Sequence, residues 1–335
     1  MKTTEGELIR AIRERVTRQR AHGDRIVRLG IGDDCAILRP PRGRELTVTT
    51  DLTLENVHFR RDWHPAQSVG HRCLVRGLSD LAAMGARPDA AFLSLSIPRE
   101  LAGRWLNGFL DGWMLAAKRY GVVLAGGDTA EAPRAAKAGR ALFAADVILI
   151  GSAPAGKALR RGGASAGDLV YVTGELGGAA AELRSLARNP AVDRKRDLKR
   201  HPHLYPEPRL QAGARLMARA LATAAIDLSD GLSTDLAHLC QASGLRAEID
   251  VSALPLAQGA ALDDALHGGE DYELLFTARP GTRIPATIGG IPVHAIGRMR
   301  NRSREKNRPP VDLCTREGAR VPLPPGGWEH FRGRA

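Results

Sequence analysis

The chain has 335 residues, 43% hydrophobic and 26% charged, which suits two globular domains with room for sizeable cores. The net charge of +12 invites a polyanion-binding reading. Residues 184–200 and 298–308, however, carry +5 each and leave only +2 on the other 307 residues, which argues against a basic body wrapped around nucleic acid. Aromatic residues are 4% of the chain, so the cores are expected to rest on Ala, Val, Leu and Ile.

Residues 5–19 place Leu8, Ile9, Ile12 and Val16 at helical spacing. Residues 45–51 are alternating and β-branched, which predicts a strand with polar residues at its end. A helix over 66–85, a strand over 90–97, a helix over 101–119 and strands over 121–125 and 142–151 follow. The Gly- and Ala-rich segment 153–167 has no apolar period and is the expected boundary between domains 1–152 and 153–335. The second half reads as a strand over 169–173, a helix over 179–187 and a long charged surface loop over 189–208. A helix over 208–223, a strand over 224–228, a helix over 231–243 and strands over 245–251 and 273–277 come next, before a short β-rich end. Strands and helices mix without strict βαβ alternation, so the class is α+β with mixed sheets flanked by helices. No apolar run reaches the ~18–20 residues that span a bilayer, and the N-terminus has no apolar signal region. Cys35, Cys73, Cys240 and Cys314 form no CxxC pair; reduced thiols in a cytoplasmic protein are the expectation.

Six short acidic motifs sit beside glycines or at expected strand ends. They are Gly32-Asp33-Asp34, Thr49-Thr50-Asp51, Ser79-Asp80, Gly126-Gly127-Asp128-Thr129, Asp227-Leu228-Ser229-Asp230-Gly231 and Gly268-Gly269-Glu270-Asp271. Any one is ordinary turn or cap chemistry. Six together suggest carboxylates brought close, and their repulsion is tolerable once cations neutralise it. Oxygen donors of this kind select Mg²⁺-class ions, which commonly hold phosphates as well. No GxxxxGK[ST], strand-linked GxGxxG or GxSxG is present, so the P-loop, Rossmann and nucleophile-elbow classes are not supported. His58, seven residues after Asp51, is a further candidate.

In order, these motifs resemble the thiamine-monophosphate kinase family of the aminoimidazole ribonucleotide synthetase-like superfamily. The resemblance also takes in Gly30-Ile31, Val57-His58-Phe59, Leu78 to Ala86, Tyr205-Pro206-Glu207-Pro208-Arg209, Tyr272-Glu273-Leu274 and Gly327-Trp328-Glu329-His330-Phe331. It implies transfer of the ATP γ-phosphate to thiamine monophosphate with several Mg²⁺ ions, and a homodimer whose N-terminal domains pair through their sheets. It assigns ATP and Mg²⁺ binding and dimerisation to the first domain, and completion of the nucleotide and substrate site to the second. By family role, Asp34, Thr49, Thr50, Asp51, Asp80, Asp128, Asp227 and Asp230 are metal ligands. Gly127, Asp128, Arg161 (with Arg160 beside it) and Ser229 contact ATP, and His58, Glu270 and Trp328 contact thiamine monophosphate. Trp328 either stacks on a flat ring of the substrate or pins the tail by packing.

The acceptor is a phosphate oxygen already ionised near neutral pH, so no general base is expected, and direct transfer without a phospho-enzyme follows. Other superfamily enzymes share ATP and Mg²⁺ but differ in acceptor. A selenophosphate-synthesising enzyme would carry a reactive Cys near the N-terminus, and residues 1–34 have none. A nucleic-acid binder leaves the Asp motifs unexplained and lacks aromatics on its basic stretches. Those stretches are expected to be solvated loops, and neither nucleic acid nor membrane is expected as a partner.

Overall fold

A computed structural model describes residues 5–19, 26–133, 140–189, 201–302, 308–315, 317–329 and 331. The chain divides into two compact units, one of Met1–Leu81 with Arg87–Gly156, the other of Ala82–Ala86 with Lys157–Ala335. Among the described residues no helix is long and apolar enough to cross a membrane.

The first unit contains α1 (Glu5–Gln19), β1 (Val27–Leu29), β2 (Ile37–Leu38), β3 (Arg44–Leu54), α2 (Ala66–Ala83), β4 (Arg87–Ile97), α3 (Arg104–Tyr120), β5 (Val123–Glu131) and β6 (Ala144–Pro154), with the last two residues of α2 counted in the second unit. Its main sheet has the order β3-β6-β4-β5; β4 and β5 are parallel and the other pairs antiparallel. Apolar residues of α2 and α3, such as Leu74, Leu78, Phe109 and Trp113, are fully buried, as are Val147 and Leu149 of β6. The two helices approach closely at glycines: a Cβ on Gly70 would lie 1.9 Å from the Phe109 carbonyl, and one on Gly112 2.0 Å from that of Gln67. Few as they are, the aromatics do not scatter. Phe59, Trp105, Phe109 and Phe143 form one cluster, with Trp105 and Phe143 centroids 4.8 Å apart. That cluster anchors the loop 55–64 that carries His58, so the expectation of a purely aliphatic core is corrected here.

The second unit continues with β7 (Leu169–Thr173), α4 (Gly178–Arg188), α5 (Leu210–Ala218), β8 (Ala224–Asp227), α6 (Leu232–Ser243), β9 (Leu245–Asp250), α7 (Leu262–His267), β10 (Leu274–Ala278), β11 (Thr287–Ile288), β12 (Ile291–Asn301), β13 (Val311–Cys314) and β14 (Arg320–Leu323). Its sheet has the order β14-β13-β9-β12-β7-β10-β8, with β11 paired to β12. Only β13–β9 is parallel among these pairs. Both faces are covered. Leu275 packs with Ile226, Leu236 and Leu239 on one side, while Leu274 and Phe276 pack with Ala212 and Leu216 on the other. All five residues of β10 are therefore buried, which explains its continuous apolar run.

Several expected elements differ. The helix expected over 208–223 is only Leu210–Ala218, ended by Ala220 in a left-handed conformation (φ 49°). Residues 201–208 are not a solvated loop: His203, Leu204, Pro206 and Pro208 are buried. The start of the second basic stretch is strand, and Arg300 pairs with Glu248 at 2.6 Å. Residues 190–200 and 303–307 of the basic stretches, and His330, lie outside the described residues.

Candidate active site

In the first unit, Thr49, Thr50 and Asp51 lie inside β3 rather than at its end. The strand runs on through Leu52-Thr53-Leu54, which stay paired to Asp146, Ala145 and Ala144 of β6. Alternation sends Thr49 and Asp51 to the α2 face and Thr50 to the opposite face. Asp80 sits within α2, not at a strand end or turn. The Thr49 hydroxyl donates to the Asp80 carboxylate, and the Asp51 carboxylate faces the Arg76 guanidinium at 3.4 Å. On the other face the Thr50 hydroxyl donates to Asp146 at 2.7 Å. Burial pushes the Asp51 carboxyl up to about 6 against the opposing pull of Arg76, and the charges of Asp80 and Asp146 add to the rise. Asp146 escapes sequence reasoning because one acid at an outward position of an otherwise apolar strand carries no signal of its own.

Gly126 to Thr129 also lie within a strand, β5, and not in a turn. An extra residue, Ala125, makes a bulge between the pairs Ala91–Leu124 and Phe92–Gly126. The following backbone presses so close to β4 that a Cβ on Gly127 would lie 2.0 Å from the Leu93 carbonyl. Gly127 and Asp128 thus line a cavity of about 650 Å³ together with Asp33 and Asp34. Both Asp34 and Asp128 are exposed, and the Asp34 N–H donates to the Asp33 carboxylate at 2.9 Å. In the loop after β3, the His58 Nδ1 accepts the Leu54 N–H at 2.9 Å, which fixes the neutral ring as the Nε2–H tautomer. The buried Arg72 donates to the His58 carbonyl at 3.1 Å.

In the second unit, Asp227 ends β8 and is only 3% exposed. Ser229 and Asp230 form the turn into α6, and Asp235 of that helix accepts the N–H groups of Ser229, Asp230 and Gly231, each at 3.0 Å. Burial and the charges of Asp227 and Asp230 push the Asp235 carboxyl well above its ordinary value. Sequence reading missed Asp235, although an acid early in a helix that follows Asp-Gly is a capping signal. The substrate candidates fold against this turn: the Glu270 N–H donates to Ser229 at 2.8 Å and the Trp328 N–H to Asp230 at 3.0 Å. Trp328 is 50% exposed. Arg160 and Arg161 are both exposed, with the Arg160 carbonyl accepting the Ala225 N–H and the Arg161 carbonyl accepting the Ser243 hydroxyl.

Two motif residues that had no assigned role meet each other. Arg209 of Tyr-Pro-Glu-Pro-Arg makes a two-pronged ion pair with Glu273 of the Glu-Asp-Tyr-Glu run, and Thr173 donates to the same carboxylate at 2.6 Å. Asp271 accepts the Gly177 and Ala179 N–H groups at the start of α4, and burial pushes its carboxyl up to about 7.

The donor set of the first unit is oxygen only: carboxylates and threonine hydroxyls. The thiol beside Asp51, that of Cys73, is pushed by burial up to about 12 and is no thiolate ligand, while Cys35 lines the cavity next to Asp34. In the second unit Asp230, Asp235 and His238 each offer a ligand atom within 4.8 Å of the others. Hard-cation chemistry fits the carboxylates and hydroxyls, to which His238 adds a nitrogen donor, and Mg²⁺ is the ion that also takes phosphate oxygens.

Two units, each a mixed sheet flanked by helices with carboxylates at the sheet, define the class, and family models agree. "AIR synthase related protein, N-terminal domain" matches residues 32–157, and "AIR synthase related protein, C-terminal domain" matches residues 165–306. A thiamine-monophosphate kinase of Salmonella typhimurium is 40% identical over 319 residues, 91% of this chain and 92% of the relative. The crystal structure of a thiamine-monophosphate kinase from Stenotrophomonas maltophilia is 36% identical, with a TM-score of 0.76 over 93% of this chain and 97% of that one. The solved complex "AaThiL complexed with AMPPCP and TMP" is 28% identical, with a TM-score of 0.73 over 98% of this chain and 97% of that one. The chain belongs to the thiamine-monophosphate kinase family.

Proposed function

We propose that this chain transfers the γ-phosphate of ATP directly to thiamine monophosphate, giving thiamine diphosphate and ADP. The observation that carries the reading is the oxygen-donor cluster of Thr49, Asp51 and Asp80 on the α2 face of β3, where half-buried acids stand beside Arg76, with Thr50 and Asp146 paired on the other face. Relatives support the substrates, since one solved complex holds AMPPCP and TMP. In the reaction an acceptor phosphate oxygen bonds to the γ-phosphorus while the bond to the β–γ bridging oxygen breaks, and ADP leaves with that electron pair. No proton has to be removed to make the nucleophile, which agrees with a site of positioning groups rather than a base.

Asp34, Thr49, Thr50, Asp51, Asp80, Asp128, Asp227 and Asp230 would hold Mg²⁺. Bound Mg²⁺ offsets the repulsion between the two phosphates and aligns them for in-line transfer. Gly127 brings its bare backbone, and Arg161 and Ser229 bring polar groups, to ATP. His58 offers its Nε2–H, Glu270 a carboxylate and Trp328 an indole face to thiamine monophosphate. A homodimer is part of the reading, supported by the exposed apolar face of β3 and β6, where Leu46, Val48, Leu52 and Ile148 stand 42%, 65%, 53% and 36% exposed. The deciding assay is incubation with Mg-ATP and thiamine monophosphate, scored for thiamine diphosphate. A phosphorylated enzyme trapped from labelled ATP refutes direct transfer.

Two further results are expected. Trp328→Ala raises the KM for thiamine monophosphate about tenfold, the loss of one stacked ring contact on a cation. An unchanged KM shows that Trp328 pins the tail instead. Burial raises the Asp51 carboxyl to about 6. Ionised Asp51 is the metal-binding form, so as pH falls through 6 a proton competes for it. Mg²⁺ half-saturation is then expected to rise by about tenfold per pH unit below 6 and to stay flat above 7. Half-saturation that is flat from pH 5 to 8 excludes Asp51 as a ligand.

A further inference from the structure

The Glu270 carboxylate stands on an unusual piece of backbone. Glu270 and Tyr272 both have positive φ, 68° and 51°, in a region that residues with a Cβ seldom occupy. They are held there by the hydrogen bonds Glu270 N–H to Ser229 and Tyr272 N–H to Leu228, at 2.8 and 2.9 Å. Backbone bonds alone leave three side-chain torsions of Glu270 to be fixed. A constraint on the carboxylate itself comes from His203, whose Nδ1 lies 3.1 Å from Glu270 Oε2. The His203 side chain is 2% exposed and that of Glu270 23%, so a buried donor grips a carboxylate that reaches toward solvent.

His203 is itself held from several directions. Its N–H donates to Glu182 Oε2 at 2.7 Å, the Leu204 N–H reaches the same oxygen at 3.3 Å, and His201 Nδ1 lies 2.7 Å from Glu182 Oε1. Glu182 belongs to α4, and the first turn of α4 is capped by Asp271, the residue after Glu270. The chain of contacts thus closes on itself: Glu270 to Asp271, Asp271 to α4, α4 through Glu182 to His203, and His203 back to Glu270. Such a closed ring makes the carboxylate direction a property of the whole turn rather than of one free side chain.

We propose that His203 is a positioning residue for substrate recognition, donating Nδ1–H to Glu270 so that its carboxylate presents a fixed edge to the cationic thiamine part of the acceptor. This rests on the reading of Glu270 as a contact to thiamine monophosphate. His203 does not touch substrate in this account; it acts through Glu270.

The test uses the full chain with His203→Leu, which removes the donor at similar volume, and His203→Asn, which keeps an N–H near the Nδ1 position. Each is made alone and with Glu270→Gln. Steady-state KM and kcat are measured for both substrates, with thermal midpoints to report folding. His203→Leu is expected to raise the KM for thiamine monophosphate tenfold or more, the scale of a lost hydrogen bond to a charged group, with the KM for ATP within about twofold. His203→Asn is expected to recover most of the loss, and in the Glu270→Gln background either change is expected to add little. Asn behaving like Leu, both KM values rising together, or additive effects in the double variants overturn the proposal. If His203→Leu does not fold, His203→Gln, whose longer side chain carries the amide away from the Nδ1 position, takes its place in the cycle. A wild-type chain inert toward thiamine monophosphate overturns the functional reading, whereas an active wild type with additive variants overturns only the role of His203.

Discussion

Asp34→Asn and Asp227→Asn are each expected to lose a hundredfold or more of kcat while remaining folded. Asn matches Asp in shape, so what is lost is charge. Asp34 is exposed and its backbone N–H bond to Asp33 does not use its own side chain, so the fold has little stake in its carboxylate. Asp227 is buried, but its place at the end of β8 is fixed by backbone pairing with Leu274. Its charge helps to push the carboxyl of Asp235 up, so neutralising it relieves repulsion in the unliganded protein. The thermal midpoint of Asp227→Asn is therefore expected to hold or rise as activity falls. A hundredfold is the usual scale for removing one group that stabilises charge in the transition state, about 2.7 kcal/mol. Opposite signs for stability and activity separate a functional acid from a structural one. Near-normal turnover in both variants sinks the metal-ligand assignment.

Much of the frame was legible in the sequence because local pattern and tertiary burial agreed. Helix α1 and strand β7 fall where periodicity puts them: Ile12 and Val16 of α1 are buried, and Val170 and Val172 of β7 share one core. The acids were legible as a set, and Asp227 does end its strand, but several others were misplaced. Asp51 looked like a strand end because Thr-Thr-Asp is polar, yet β3 continues since its ladder with β6 runs on to Leu54. Gly126-Gly127 looked like a turn, because glycine usually marks one; here it serves a bulge and a close approach to β4. Ser79-Asp80 has no helix signature of its own, and only the apolar spacing of the whole of α2 places it. What stayed illegible were partners distant in sequence. His203 and Glu270, Thr50 and Asp146, and Arg209 and Glu273 are joined by the fold, and no local spacing announces them.

The largest expected loss of stability comes from Arg209→Leu. Glu273 is 3% exposed, and burial pushes its carboxyl up even though Arg209 and Thr173 pull the other way. Taking away the guanidinium leaves a buried carboxylate with the Thr173 hydroxyl but no cation, a change worth about 3–5 kcal/mol. The pH dependence follows from the direction of the shift. A carboxyl whose folded pKa lies above its unfolded value binds more protons folded than unfolded, so stability falls as pH rises through that window. Losing Arg209 raises the folded value further and widens the window toward neutrality. The variant is therefore expected to be most compromised near pH 7.5 and to recover part of the loss at pH 5, where protonated Glu273 needs no cation. Arg209→Leu combined with Glu273→Gln is expected to recover stability at both pH values, because a neutral amide can still accept from Thr173. Urea midpoints at the two pH values check this, and a pH-independent loss below about 1 kcal/mol refutes it. Arg209 also closes the segment that begins at His203, so the single variant is expected to raise the KM for thiamine monophosphate at temperatures where it is still folded. The repaired double variant restores the stability and, with the segment held again, the KM as well.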